Sequence, residues 1–273
     1  MQTTANLWEV LCRDFASEQR AARAEDCCEI GRKFLKTARQ VLREDSVRLC
    51  DALEIVGDVF QAAQKIQEAY ELFEEARGKA SRIDATASQA RLSAKIALLL
   101  ERLGRIPESR GYAERAVDLY ESSHDYSQHS MLLNHLGALC RIQGNFQSAI
   151  TNYQRAMEVA CQFHGSNHPE VAIAMNNLGV AHTEVRDYVQ AESLHMQALG
   201  LREKAFGPMH PEVAQSMANL AVVYHATKAY DRARSYYQGA LQIYKAFRSA
   251  DDPEMKTLLA NIAALPDQGK KSS

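Results

Sequence analysis

The chain has 273 residues, 46% hydrophobic and 24% charged, with a formal net charge of −2. These values describe a folded chain without general electrostatic attraction to nucleic acid or an anionic membrane surface. Only 13 Gly and 6 Pro punctuate this length, which favours long helices joined by short turns over many strands.

In chain order, the first segment, "MQTTANLWEVLCRDFASEQR", has no basic stretch followed by an apolar core. Apolar runs such as "IALLL" at Ile96 to Leu100 are too short to span a bilayer. Six cysteines show no CxxC spacing, so reduced thiols and a cytoplasmic location are expected. Trp8, Leu11, Phe15 and Ala24 have helix-pair spacing, and "CCEIGRKFLKTARQVL" reads as a long helix that follows. Residues 1–48 are therefore read as N-terminal helices forming a degenerate repeat unit, with Cys28 at a core position.

From residue 49 a phrase recurs. Val56-Gly57, Ile96-Ala97, Leu136-Gly137, Leu178-Gly179 and Leu220-Ala221 follow one another at steps of 40, 40, 42 and 42. Each is followed by two small residues seven apart, usually with an aromatic between them: Ala69, Phe73 and Ala76; Ala149, Tyr153 and Ala156; Ala233, Tyr237 and Ala240. Residues at this spacing share one helical face. The small ones let two helices approach and the ring fills the gap. The pattern predicts units near 49–88, 89–128, 129–170, 171–212 and 213–253, each a pair of antiparallel helices. A capping helix follows at 254–265, and the polar tail 266–273 reads as disordered.

"SNHPEV" and "PMHPEV" recur 42 residues apart, and "DDPEM" continues the series. They read as helix starts, with Pro in the first turn. Asn167 and Asp251 are the expected caps, and Met209 is a poor one. His168 and His210 are then loop packing residues.

The Leu-Gly, Tyr, Ala, aromatic and Ala signature resembles the tetratricopeptide repeat. The 42-residue version, with its "HPEVA" opening and "NNL" in the first helix, is similar to the repeats of kinesin light chains. Residues 1–48 are too short and irregular for the heptad region of a kinesin light chain, so the resemblance covers repeat type alone. It implies an all-α, right-handed superhelical solenoid of antiparallel helix pairs, whose concave surface is lined by first helices and binds peptides or helices of other proteins. On this resemblance the peptide-groove residues are Asn134, Asn176, Asn177, Asn219 and Asn261, with Arg91, Lys95 and Arg141.

The groove positions begin acidic (Asp51, Glu54, Asp58), turn basic (Arg91, Lys95, Arg102) and end lined by amides. An asparagine amide both donates and accepts, so a row of them can hold an extended peptide main chain. Asn177, Asn219 and Asn261 can instead bridge neighbouring helices. Arg91 and Lys95 match part of a carboxylate clamp, but its central asparagine is missing. Cys161, His164 and His168 have a Cys-x2-His-x3-His spacing that could surround zinc. Only His168 recurs one repeat later, so no metal and no cofactor are expected. His182 and His195 stand where neighbouring units carry Tyr and read as half-buried packing residues.

No phosphate loop, GxSxG, HExxH or GxGxxG is present, so no catalytic residues and no enzyme activity are expected. The reading is a non-enzymatic scaffold for a protein or peptide partner, with no nucleic acid and no membrane insertion. Two alternatives are a self-assembling homodimer and a regulator that senses a peptide.

Overall fold

The computed structural model describes residues 2–21, 26–44, 46–123, 126–249 and 251–266. Among them are thirteen α-helices and no strand. The expected contribution of Ala24 to the first unit and nearly all of the tail lie outside the described residues. The chain divides into two compact units, Met1–Asp125 and Tyr126–Ser273.

The N-terminal unit contains α1 (Gln2–Ala21), α2 (Cys27–Val41), α3 (Val47–Ala62), α4 (Ile66–Arg82), α5 (Thr86–Arg102) and α6 (Ile106–Ser123). Phe15 packs 4.4 Å from Phe34, with Trp8 6.2 Å from the same ring. Phe15 and Phe34 belong to a core that continues through Leu53, Val56, Phe60 and Phe73 to Leu100. The C-terminal unit contains α7 (Tyr126–Ile142), α8 (Phe146–His164), α9 (Pro169–Glu184), α10 (Tyr188–Phe206), α11 (Pro211–Ala226), α12 (Tyr230–Phe247) and α13 (Pro253–Ala263).

Within each of the five pairs from α3 to α12 a short turn returns the second helix antiparallel to the first. Glycine in the first helix opposes a ring in the second: Gly57 faces Phe73, Gly137 faces Tyr153, and Gly179 faces His195. A Cβ at Gly57 would stand 2.3 Å from Phe73 Cε1, and one at Gly137 would stand 2.6 Å from Tyr153 Cε1. Where the second helix carries the smaller Ala113, the first carries Ala97, and both are fully buried.

One turn closes five pairs. The amides of Lys65, Arg105, Asn145, Asp187 and Ala229 each donate to the carbonyl five residues back, at 2.8–2.9 Å. This is the six-to-one bond of a Schellman ending. The preceding residues, Gln64, Gly104, Gly144, Arg186 and Lys228, take φ between 62° and 76°. Gly supplies that conformation without strain. Elsewhere the bond itself holds a non-glycine residue there.

The helix caps differ from expectation by one residue. His168 and His210, not Asn167 and Met209, cap α9 and α11: each Nδ1 accepts from the amide two residues on, at 3.3 and 3.2 Å. Asp252, not Asp251, caps α13, accepting from Glu254 N at 2.9 Å and Met255 N at 3.3 Å. The reason is steric. Proline occupies the first helical position in all three, and the residue before a proline is pushed into extended backbone. That residue becomes the N-cap, so the repeated His/His/Asp is the cap itself.

Replacing Gly57 by Ala is expected to cost about 1–3 kcal/mol through overpacking against Phe73. Gly78→Ala, inside α4 with nothing within 4 Å of its Cβ position, is expected to stabilise by about 0.5–1 kcal/mol. Urea unfolding of the two variants reads the opposite signs directly.

Candidate peptide-binding face

The side chains expected to line a groove project from first helices, and the structure brings most of them against one another. In the N-terminal unit the acidic residues of α3 meet the basic residues of α5. Arg91 forks onto Glu54, with Nε 2.8 Å from Oε1 and Nη2 2.8 Å from Oε2. Lys95 lies 2.9 Å from Glu54 and 2.7 Å from Asp58, and Asp51 stands 3.6 Å from Arg91.

Glu54 is only 7% exposed. Burial alone would push its carboxyl up, but the hydrogen bonds from Arg91 and Lys95 outweigh that and hold it below the usual carboxylate range. Asp51 is raised instead, because burial exceeds the help it receives from Arg91. Arg91 and Lys95 therefore neutralise a buried carboxylate of their own unit and are not a free basic pair aimed at a ligand. A buried carboxylate stripped of its partners is costly, which ties both cations to α3. Arg141, in the C-terminal unit, is similarly engaged by Glu184 at 2.8 Å.

The C-terminal unit uses amides where the N-terminal unit uses charges. Asn177 Nδ2 on α9 donates to Asn134 Oδ1 on α7 at 3.1 Å. Asn219 Nδ2 on α11 donates to Asn176 Oδ1 on α9 at 2.9 Å. Asn134 Nδ2 in turn donates to the Ser130 carbonyl at 3.1 Å. The two bonds between helices share one rule: an asparagine reaches back 43 residues to the previous first helix. This gives a physical reason for asparagine in mid-helix, where its intrinsic propensity is poor.

Asn261 differs. It lines a cleft of about 310 Å³ between α11 and α13, together with Ala218, Asn219, Val222, Tyr244 and Leu258. Among the described residues its amide has no hydrogen-bond partner.

His195 reads as half-buried from its spacing, but it is 1% exposed. Its ring fills the space left by Gly179, and Nδ1 lies 3.2 Å from Asn176 Oδ1. Burial, with a smaller contribution from the Arg202 charge, pushes its pKa down to about 4. Arg202 itself is 3% exposed. It is satisfied by Glu212 at 2.9 Å, the Glu212 carbonyl at 3.0 Å and Ser216 Oγ at 2.9 Å. His182, by contrast, is half-buried as expected, with Nδ1 3.1 Å from Asp187 Oδ2.

The zinc-like spacing resolves differently from the sequence trio. His164, His168 and Glu170 bring ligand-type atoms within 4.8 Å of one another, without Cys161. His164 and His168 stack at 4.2 Å, and His168 Nδ1 is spent on the α9 cap. The equivalent turn one repeat on stacks Phe206 on His210 at 4.6 Å, so the stack is a packing device shared by both turns. All six cysteines are free thiols.

The inter-helix pairings are the part hidden from sequence reading. Glu54 and Arg91 are 37 residues apart, and the amide pairs 43 apart. The available signal is an acidic set and a basic set, or two asparagines, at the same register in successive units.

The tetratricopeptide repeat family profile matches residues 86–161, 127–204 and 170–246, more than half of the chain. The chain belongs to the tetratricopeptide repeat family, and its architecture is an all-α tetratricopeptide array. No curated protein matches the chain.

Among solved structures, BtubC (BKLC) from P. vanneervenii is 21% identical, with a TM-score of 0.70 over 92% of this chain and 97% of that one. A signal-transduction ATPase with numerous domains and a tetratricopeptide repeat sensor, from Pyrococcus horikoshii, is 18% identical with a TM-score of 0.71. That match covers 88% of this chain but 36% of the longer protein. A Podosopora anserina protein assigned to the kinesin light chains, with nearly identical TPR-like repeats, is 16% identical with a TM-score of 0.60 over 74% and 96%. These likenesses establish the fold. Among the described residues no helix is long and apolar enough to cross a membrane.

The burial of His195 has a pH consequence. Its folded pKa lies below its unfolded value of about 6.5, so protonation favours the unfolded chain. Stability is expected to be full above about pH 6.5 and to fall by up to about 3 kcal/mol as the pH drops toward 4. His195→Tyr, which installs the ring carried at the matching positions by Tyr153 and Tyr237, is expected to flatten the pH dependence between about 6.5 and 4.5. Urea midpoints of both proteins across that range measure it.

Proposed function

We propose that the chain is a non-enzymatic scaffold that binds a partner protein through an extended peptide laid on the first helices of residues 126–263. Tetratricopeptide repeats mediate protein interactions, and the Pyrococcus horikoshii neighbour carries such a repeat as a sensor. The observation that supports the location is the file of side-chain amides along α7, α9, α11 and α13. It puts groups that both donate and accept on successive first helices, with little net charge. A peptide main chain offers the complementary N–H and C=O groups whatever its side chains are. The first-helix face of the N-terminal unit has its charges neutralised internally by the Arg91–Glu54–Lys95 cluster, which leaves it less to offer.

The asparagines have a structural duty as well. Asn177→Ala and Asn219→Ala each remove a bond between helices, and each is expected to cost about 0.5–1.5 kcal/mol of stability. Loss of binding in those variants therefore cannot be read without a stability control.

The direct test is selection of heptapeptides from a random displayed library against the whole chain. Side-chain and backbone amide shifts on titration of the best binder then locate it. The expected perturbations fall on α7, α9, α11 and α13. Failure to select any peptide, or perturbations confined to α8, α10 and α12, would overturn the proposal.

A further inference from the structure

The amide ladder obeys a rule, and the rule fails at one place. An asparagine on a first helix donates to the residue 43 positions earlier: Asn177 to Asn134, and Asn219 to Asn176. The next member of the donor column is Asn261, and 43 residues earlier stands Ala218, whose side chain has no acceptor. At this missing rung the structure opens the cleft between α11 and α13, with Ala218 and Asn261 on its walls.

Most other polar groups in the cleft are already spent. Gln215 Oε1 accepts from Arg202 at 3.1 Å. Glu254 is paired with Arg248 at 2.8 Å. The Thr257 hydroxyl donates to the Pro253 carbonyl at 2.9 Å. Asn219 has used Nδ2 on Asn176, and among the described residues its Oδ1 receives no donor. What remains free is the Gln215 Nε2 donor, one acceptor on Asn219 and the whole side-chain amide of Asn261, beside an apolar wall of Ala218, Val222 and Leu258.

We infer that this missing rung is a docking point for one peptide unit of a partner segment. The partner's carbonyl accepts from Asn261 Nδ2, its N–H donates to Asn219 Oδ1, and an aliphatic side chain lies on Val222 and Leu258. The occupant is a main-chain amide rather than an ion, because the free groups are neutral and paired as donor and acceptor. This inference rests on the peptide-binding reading above and narrows it to one site.

Completing the ladder from within should close the site. Ala218→Asn gives Asn261 the acceptor it lacks. The neighbouring units show that the register accepts an asparagine. Asn134 coexists with Tyr153 in its pair, and Ala218 stands in the same relation to Tyr237. The probe is N-acetyl-leucine methylamide, a blocked residue with one amide on each side, titrated into the whole 15N-labelled chain.

Saturable shifts of the Asn219 and Asn261 side-chain amides are expected. They should disappear in A218N, which should also melt at a higher temperature than the parent. Asn261→Ala is expected to weaken binding roughly three- to tenfold at unchanged melting temperature, so the inference stays testable even if A218N misfolds. No saturable shift at these two side chains, or the same shifts in A218N, would overturn it. If library-selected heptapeptides bind the first-helix face while the blocked leucine leaves Asn219 and Asn261 unperturbed, the missing rung is wrong and the broader reading stands. If no peptide binds anywhere, both fall.

Discussion

Side-chain amides on α7, α9 and α11 hydrogen-bond from one first helix to the next, and this constraint decides what the face can offer a ligand. Each bond is a neutral one, worth about 0.5–1.5 kcal/mol net, yet it fixes the register between neighbouring first helices. The N-terminal unit solves the same problem with charge. Arg91 and Lys95 reach from α5 to Glu54 and Asp58 on α3. An ion pair held at a 7% exposed carboxylate must offset a large desolvation cost, whereas an amide pair offsets little. The amide solution therefore leaves its members nearer to exchange with a competing peptide, and the ionic one locks its members in place.

Beneath that polar layer the pairs are held by shape. A glycine or alanine on the first helix accepts a ring or a small side chain from the second, and the two volumes trade off. Gly57 meets Phe73, while the Ala97 and Ala113 pair is small on both sides and fully buried. His195 shows what happens when a polar ring enters the aromatic position. It must find a partner, and Asn176 Oδ1 serves it as well as Asn219. The packing layer and the polar layer are thus joined at Asn176, which is itself 4% exposed.

The helix pairs are legible in the sequence because their signals are periodic and local. Small residues seven apart with a ring between them, and His-Pro-Glu at 42-residue steps, need no tertiary knowledge. The caps fall one residue later than composition suggests, because Asn167 looks like a better cap than His168 until the steric demand of Pro169 is applied. The candidate site is legible as a set of residues but not as a set of bonds. Arg91 and Lys95 read as a free basic pair, since nothing in one helix reveals that its neighbour holds Glu54 and Asp58 opposite. The asparagine row reads as uniform, although Asn177 and Asn219 are engaged and Asn261 is not. That difference depends on an alanine 43 residues away, which no local pattern singles out.

The measurement that bears most directly on this picture is hydrogen exchange of the asparagine side-chain amides, followed by 15N-edited NMR in the unliganded chain. If the ladder holds the first helices together, the Asn177 and Asn219 NH2 protons exchange measurably more slowly than those of Asn261. Equal exchange at all three asparagines would show that no ladder exists in solution, and that Asn261 is no different from the others.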